Sequence, residues 1–314
     1  MQRKDRLKVL EKIASSFRTQ FISMPPGKER EEFIYQAAIK QPLPKLVPVQ
    51  VTDPKTGIKV QYDVMPDYLM IDGIRVPVSA PTAQRLANHF GMTLPTAKMS
   101  KQIWDAADTK VKPTPMSGGA NIGGKWYTGE QVVQSKINTS DTSAAFNDKV
   151  DKEIANTSGG KAPTLVAGHM KDLTVSDTGN KDRTHAVGWY NHDGTPIQGG
   201  NGVTMHNLDH SEYATGTRLI GNKLTFIGKD GEKIGPLTME QLSTDPKYKQ
   251  YANMISSNPA ALSKYETGKP GDKPGVPPQT LPIAPKSTEQ AKPSSNQWMS
   301  KMENFLKDLE KKFL

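Results

Sequence analysis

Five of the six histidines of this 314-residue chain, His169, His185, His192, His206 and His210, fall between positions 169 and 210, with His89 alone outside. Imidazole serves near neutral pH both as a proton carrier and as a metal ligand. Carboxylates accompany the cluster at Asp172, Asp177, Asp182, Asp193, Asp209 and Glu212. Two imidazoles and one carboxylate around an ion leave a position open for water, which is what hydrolytic zinc sites require. The expected set is His169 and Asp172, presented together from a turn after a strand, with His206 closing the site from a later segment and His210 as the alternative third ligand. A divalent metal such as zinc is the cofactor such a set would hold. The same three groups could instead move protons around a water without a metal. Arg218 is expected to orient a substrate carboxylate through its bidentate fork, against the alternative of an internal ion pair. Trp189 reads as a sugar-stacking wall or a core aromatic, and Lys171 as an oxyanion partner or a solvated cation. No spacing matches a stringent motif such as H-E-x-x-H, and ordinary polar loop histidines would produce the same pattern.

Composition removes other chemistries. Cysteine is absent, which excludes a disulfide framework, a thiolate nucleophile and a sulfur-built zinc site. The 41 basic against 32 acidic residues give a formal charge of +9, a balance that draws a protein toward polyanions such as nucleic acid or a negatively charged envelope. That charge is spread along the chain and aromatics are only 7%, so a nucleic-acid partner is not expected. No apolar run reaches the roughly 18 residues of a membrane span. Residues 1–24 alternate charged with apolar side chains, without the continuous apolar stretch of a signal peptide. The paired glycines, such as Gly123-Gly124 and Gly199-Gly200, precede no Lys-Ser/Thr and make no phosphate-cradling loop.

The elements that must position these side chains follow from periodicity. Leu7, Leu10, Ile13, Ala14, Phe17 and Phe21 recur at helical steps and predict an amphipathic helix within 1–24, stopped by Met24-Pro25-Pro26-Gly27. A second helix is expected over 29–40. From Pro42 the pattern turns to β, with runs at 46–51, 59–64 and 68–78 separated by turn residues. Helices are expected over 81–91, with Pro81 in its first turn and Gly91 past its end, and over 96–111. Residues 113–160, rich in Gly, Ser, Thr and Asn, read as a long irregular excursion. Short β runs return at 163–167, 185–190, 217–220 and 224–228, with a hairpin at Lys229-Asp230-Gly231-Glu232 and a terminal helix from Thr238. Residues 256–296 have the Pro, Lys, Ser and Thr content of an extended linker. In 297–314, Trp298, Met302, Phe305, Leu309 and Phe313 form an apolar stripe opposed by nearly balanced charge, the signature of a helix that docks on a protein partner in an oligomer or larger assembly.

An ordered series runs through the body: Ala167-Gly168-His169-Met170-Lys171-Asp172, Gly188-Trp189-Tyr190, Gly194-Thr195-Pro196-Ile197-Gln198, His206, and Tyr213-Ala214-Thr215-Gly216-Thr217-Arg218-Leu219-Ile220. It resembles an uncharacterised family of bacteria, fungi and phages whose pattern reads A-G-H-K-K-D, G-W-H, G-x-P-I-Q-P, H and Y-S-H-G-I-R-L-V. Val64-Met65-Pro66-Asp67-Tyr68-Leu69, Pro81-Thr82-Ala83-Gln84-Arg85 and Leu94-Pro95-Thr96-Ala97-Lys98-Met99 extend the likeness to about 25–245. The resemblance implies one integrated domain and supplies no reaction. Two imidazoles of the pattern are replaced, by Tyr190 and Thr215, so it also implies an impaired copy if those groups carried protons. A fainter similarity is to L,D-transpeptidases, with Thr217 where the essential thiol would stand; a hydroxyl there is a poor replacement without a base.

The expected architecture is α+β: a single body over 25–255 with a mixed or antiparallel sheet and flanking helices, then a Pro-rich linker and an amphipathic helix. The expected function is a hydrolase-like domain acting on a polar cell-envelope polymer of peptidoglycan type, with His169, Asp172 and His206 as its centre. The alternative is a virion-associated or other assembly protein in which an old catalytic body has become a scaffold. The location is left open, with a phage particle or a cell envelope as the candidates.

Overall fold

The computed structural model describes residues 16–122, 124–132, 138–198 and 203–262, with 264, 265 and 267. These belong to one compact unit, which is α+β. The expected linker beyond 267 and the docking helix at 297–314 lie outside the described residues, as does the first part of the helix expected in 1–24.

What remains of that first helix is α1, Phe17–Ser23, begun by Ser16, whose hydroxyl accepts the Thr19 N–H. Phe21 is fully buried against the body, so α1 packs into the core. Helix α2, Lys28–Ala38, buries Ile34, Tyr35 and Ala38. Strands β1, Val47–Thr52, and β2, Lys59–Val64, pair antiparallel around the Asp53–Gly57 turn, and β2 sends Val60, Tyr62 and Val64 inward on strict alternation. Helix α3, Ala80–His89, starts at Pro81 and ends before Gly91, whose φ of +64° suits glycine. After β3, Met92–Thr93, helix α4 spans Ala97–Ala106 and buries Met99, Ile103 and Trp104. The helical expectation to Val111 fails here. Ala107 turns extended, and Thr109–Lys110 pairs in parallel with Val166–Ala167 instead.

The expected irregular excursion contains an 18-residue helix, α5, Ser140–Thr157. Its buried face mixes Ala144, Phe146 and Val150 with Ser140, Thr142, Ser143 and Asn147, so hydrophobic periodicity alone does not reveal it. Four strands follow that carry the chemistry: β4, Lys171–Thr174; β5, Arg183–Gly188; β6, Val203–Asn207; and β7, Thr215–Gly216. They form one sheet in the order β6-β5-β4-β7, antiparallel except for β4 with β7. Strands β8, Ile220–Gly221, β9, Leu224–Ile227, and β10, Lys233–Leu237, complete the other sheet, in the order β10-β9-β2-β8-β3 with β1 on β2. Helix α4 touches strands of both sheets. Short helices over Met239–Thr244 and Lys249–Ile255 close the body. The first residues of the expected linker belong to it too: Ser256 is buried, and the Tyr265 hydroxyl donates to Thr174 O at 2.8 Å.

Candidate metal centre

The residues singled out in the sequence separate into two groups. His169 follows Gly168, whose φ is +99° and where a Cβ would lie 2.3 Å from the Val111 carbonyl oxygen. Glycine is required there to let the chain pass. His169 is fully buried, with Nε2 2.9 Å from Asp67 Oδ1. Asp67 is also held by Arg75, whose Nη2 is 2.7 Å away, and Arg75 reaches on to Asn147 and Asp151 at 2.9 and 2.6 Å. The rings of Tyr68 and His169 meet in a T-shape with centres 4.9 Å apart, and the Arg218 guanidinium lies 4.3 Å from the Tyr68 ring centre. A Cβ at Gly216 would come within 2.4 Å of that phenol ring, so only glycine leaves room for it. Arg218 donates to Val166 O at 2.7 Å, Met65 O at 3.0 Å and Asp172 Oδ1 at 3.3 Å, while Ser100 donates its hydroxyl to the other Asp172 oxygen.

This network corrects the expected site. His169 and Arg218 show no exposed surface and Asp172 only 5%, and each has its partner inside the protein. A buried guanidinium or imidazole must find its partners inside the protein, and here Arg218 takes Asp172 while His169 takes Asp67. Arg218 therefore has the internal ion pair rather than the substrate-clamping role. Trp189 is a buried aromatic that donates to His169 O at 3.2 Å, not a sugar wall. Thr217 and the two replaced imidazole positions, Tyr190 and Thr215, are buried as well.

His206 belongs elsewhere. One donor atom from each of His206, His210 and Glu212 lies within 4.8 Å of the others, and this is the one such set among the described residues. His169 and Asp172 are not in it. His206 stands on β6, and a turn in which His210 N–H donates to Asn207 O brings the second imidazole back over the first. The rings stack at 3.9 Å with 11° between their planes. Glu212 is fixed by Thr215, whose N–H and hydroxyl both donate to its carbonyl oxygen at 3.1 and 3.0 Å. Lys171, at the start of β4, is buried with Nζ 2.5 Å from Glu212 Oε1 and 5.2 Å from the Trp189 ring centre. The other oxygen, Oε2, faces His210 Nε2 at 3.9 Å. The Nε2 atoms of both His206 and His210 are buried without a hydrogen-bond partner.

The electrostatics suit a cation. Burial lowers the His206 pKa, and the neighbouring His210 lowers it further, so His206 stays neutral. Burial alone would raise Glu212, but His210 and Lys171 outweigh it and bring its pKa down to about 2, leaving a carboxylate. Two imidazoles and one carboxylate form the donor chemistry of zinc-type sites. Tetrahedral bonds near 2.05 Å separate donors by roughly 3.3 Å, against a spacing within 4.8 Å here. The centre could hold a metal ion. The imidazoles open on a cavity of about 520 Å³ walled by Asn138, Arg183, Met205, Asn207 and Asp209. In the sequence the signal is H-x-x-x-H-x-E over 206–212, a stretch in which His210 and Glu212 were visible but not joined to His206.

No family model matches this chain, and no curated protein and no solved structure matches it either.

Proposed function

We propose that the protein is a hydrolase-like domain whose working centre is His206, His210 and Glu212, holding a divalent metal such as zinc. The single observation that carries this reading is the pair of buried, unpartnered Nε2 atoms beside an ionised carboxylate. An ion bound there supplies a water of lowered pKa as the nucleophile. His206, kept neutral by its burial, and His210 supply the two imidazole donors. Glu212 gives one oxygen to the centre and the other to Lys171, which fixes its orientation as outer partners of metal ligands do. Asp209, exposed in the same cavity, is the carboxylate available to accept a proton. A polar envelope polymer of peptidoglycan type is the proposed substrate, supported by the open polar cavity and by the net charge of +9, which favours a negatively charged matrix.

Zinc titration of the metal-stripped protein by calorimetry tests the centre. One ion per chain is expected, lost in His206→Ala. Release of soluble fragments from insoluble peptidoglycan, abolished by chelator and by the same substitution, tests the activity. A wild-type protein that binds no zinc overturns the reading.

One observation favours a second reading, an assembly component of a virion or similar particle. Three residues that carry the family resemblance, His169, Asp172 and Arg218, are buried and bonded inside the body. In that case Phe305→Asp with Leu309→Asp abolishes self-association or particle incorporation, read by light scattering and co-sedimentation.

A further inference from the structure

Three arginines of the described residues are buried: Arg30, Arg75 and Arg218. Arg75 and Arg218 each hold a carboxylate. Arg30 does not. It is 1% exposed, and its nitrogens meet only neutral oxygens: Asn138 O at 2.7 Å, Ser140 Oγ at 3.4 Å and Ser211 Oγ at 3.1 Å. Its Nε has no partner at all. The charge of Glu31 acts on Arg30 without a hydrogen bond to it, and a buried guanidinium with a bond unmade marks a place where an ion or ligand can belong.

Its surroundings point the same way. Arg30 stands in the first turns of α2, an 11-residue helix whose N-cap, Gly27, makes no side-chain cap bond. The first N–H groups of such a helix favour an anion. Both line a cavity of about 530 Å³, together with Lys28. Two of the three acids in its wall are engaged: Glu31 Oε2 takes the N–H and hydroxyl of Ser79, each at 2.9 Å, and Glu32 takes Arg85 at 2.7 Å. Asp209 also lines it, and this cavity shares Pro26, Gly27, Asn138 and Asp209 with the one that opens from His206 and His210. Arg30 also grips Ser211, the neighbour of Glu212.

We infer that Arg30 and the open amino end of α2 form an oxyanion subsite, seating a free carboxylate of a peptide-bearing substrate beside the metal centre. The choice of a carboxylate rests on the hydrolase reading; the anion site itself stands on Arg30. A planar guanidinium fork is suited to carboxylate and phosphate alike, so the test separates the two.

The full-length protein is titrated by calorimetry, in the presence of chelator, with dialanine, with its C-terminal amide, and with inorganic phosphate. Dialanine is expected to bind at least tenfold more tightly than the amide. Lys28→Glu, at an exposed position, should weaken the free acid at least threefold and leave the amide unchanged. Arg30→Gln should erase the preference for the acid, with thermal melting confirming the fold; if that variant does not fold, Lys28→Glu decides. Equal binding of acid and amide, an unchanged preference in Lys28→Glu, or binding of phosphate without dialanine overturns the inference. Because chelator is present throughout, failure of zinc binding in the separate titration sinks the metal centre without touching this result.

Discussion

Glu212 is divided between two nitrogen groups of different kinds: its Oε1 lies 2.5 Å from Lys171 Nζ, while its Oε2 faces His210 Nε2 at 3.9 Å. One oxygen is thus held by Lys171 and the other is left toward the imidazole pair. Lys171 acts as a positioning residue here, since it is buried and reaches the centre only through the carboxylate.

That division predicts a graded response to substitution. Glu212→Gln removes a ligand charge and should abolish stoichiometric zinc binding. Lys171→Met leaves all three ligands in place but frees Glu212 to rotate, and loss of such outer support typically weakens metal affinity by about 10–100-fold. Zinc competition with a chromophoric chelator measures both. Equal affinity in Lys171→Met and wild type would show that the lysine orients nothing.

A pH prediction follows from the buried imidazoles. His206, His169 and His185 all have pKa values lowered from 6.5, in each case first by burial. The unfolded chain therefore takes up protons before the folded one, and stability must rise with pH across that interval. The metal-free protein should melt at a constant temperature above about pH 7 and at falling temperatures below about 6.5. Glu212 adds a second loss lower down. With its pKa lowered from 4.5 to about 2, its contribution is complete above 4.5 and disappears as pH falls toward 2. Scanning fluorimetry from pH 8 to 4 checks the first step; a melting temperature that climbs on acidification would refute it.

The α+β class was legible because β-branched runs and helix punctuation agree locally: Pro81 and Gly91 bracket α3, and Val60, Tyr62 and Val64 alternate inward along β2. Helix α5 was not, because its buried face carries Ser143 and Asn147, whose amide accepts from Arg75. Polar burial of that kind is set by tertiary partners and leaves no periodic trace. The same limit governs the site. The histidine cluster stands out in composition, but the pairing of His169 with Asp67 joins residues 102 positions apart, and nothing in local spacing announces it. His206, His210 and Glu212 needed only the turn at Asn207–His210 to come together.

The buried pair Arg218–Asp172 gives a prediction that separates fold from function. Arg218→Met strands a carboxylate in the interior, a change that costs about 3–5 kcal/mol. Replacing Asp172 by Asn in the same chain removes the stranded charge and should recover part of that loss. Urea midpoints of the single and double variants measure it. Folded molecules of the double variant should bind zinc as the wild type does, since neither residue touches the His206 centre. A large drop in zinc affinity without a drop in stability would place Arg218 in the centre after all.

Phe146 tests whether the unforeseen helix supports the site. It is 2% exposed on α5, and its ring packs 4.8 Å from that of Tyr213, whose hydroxyl accepts the Met116 N–H at 3.1 Å. Tyr213 directly follows Glu212, so the aromatic contact backs the metal loop from behind. Phe146→Ala should cost about 3–5 kcal/mol, the usual range for emptying a buried phenyl site. Lys152→Ala, on an exposed part of the same helix, should stay within about 0.5 kcal/mol. In Phe146→Ala molecules that remain folded, zinc affinity should also fall, because Tyr213 loses the surface that holds it. If stability drops while zinc affinity is untouched, the loop is held by Arg30, Thr215 and Lys171 alone, and α5 serves only the core.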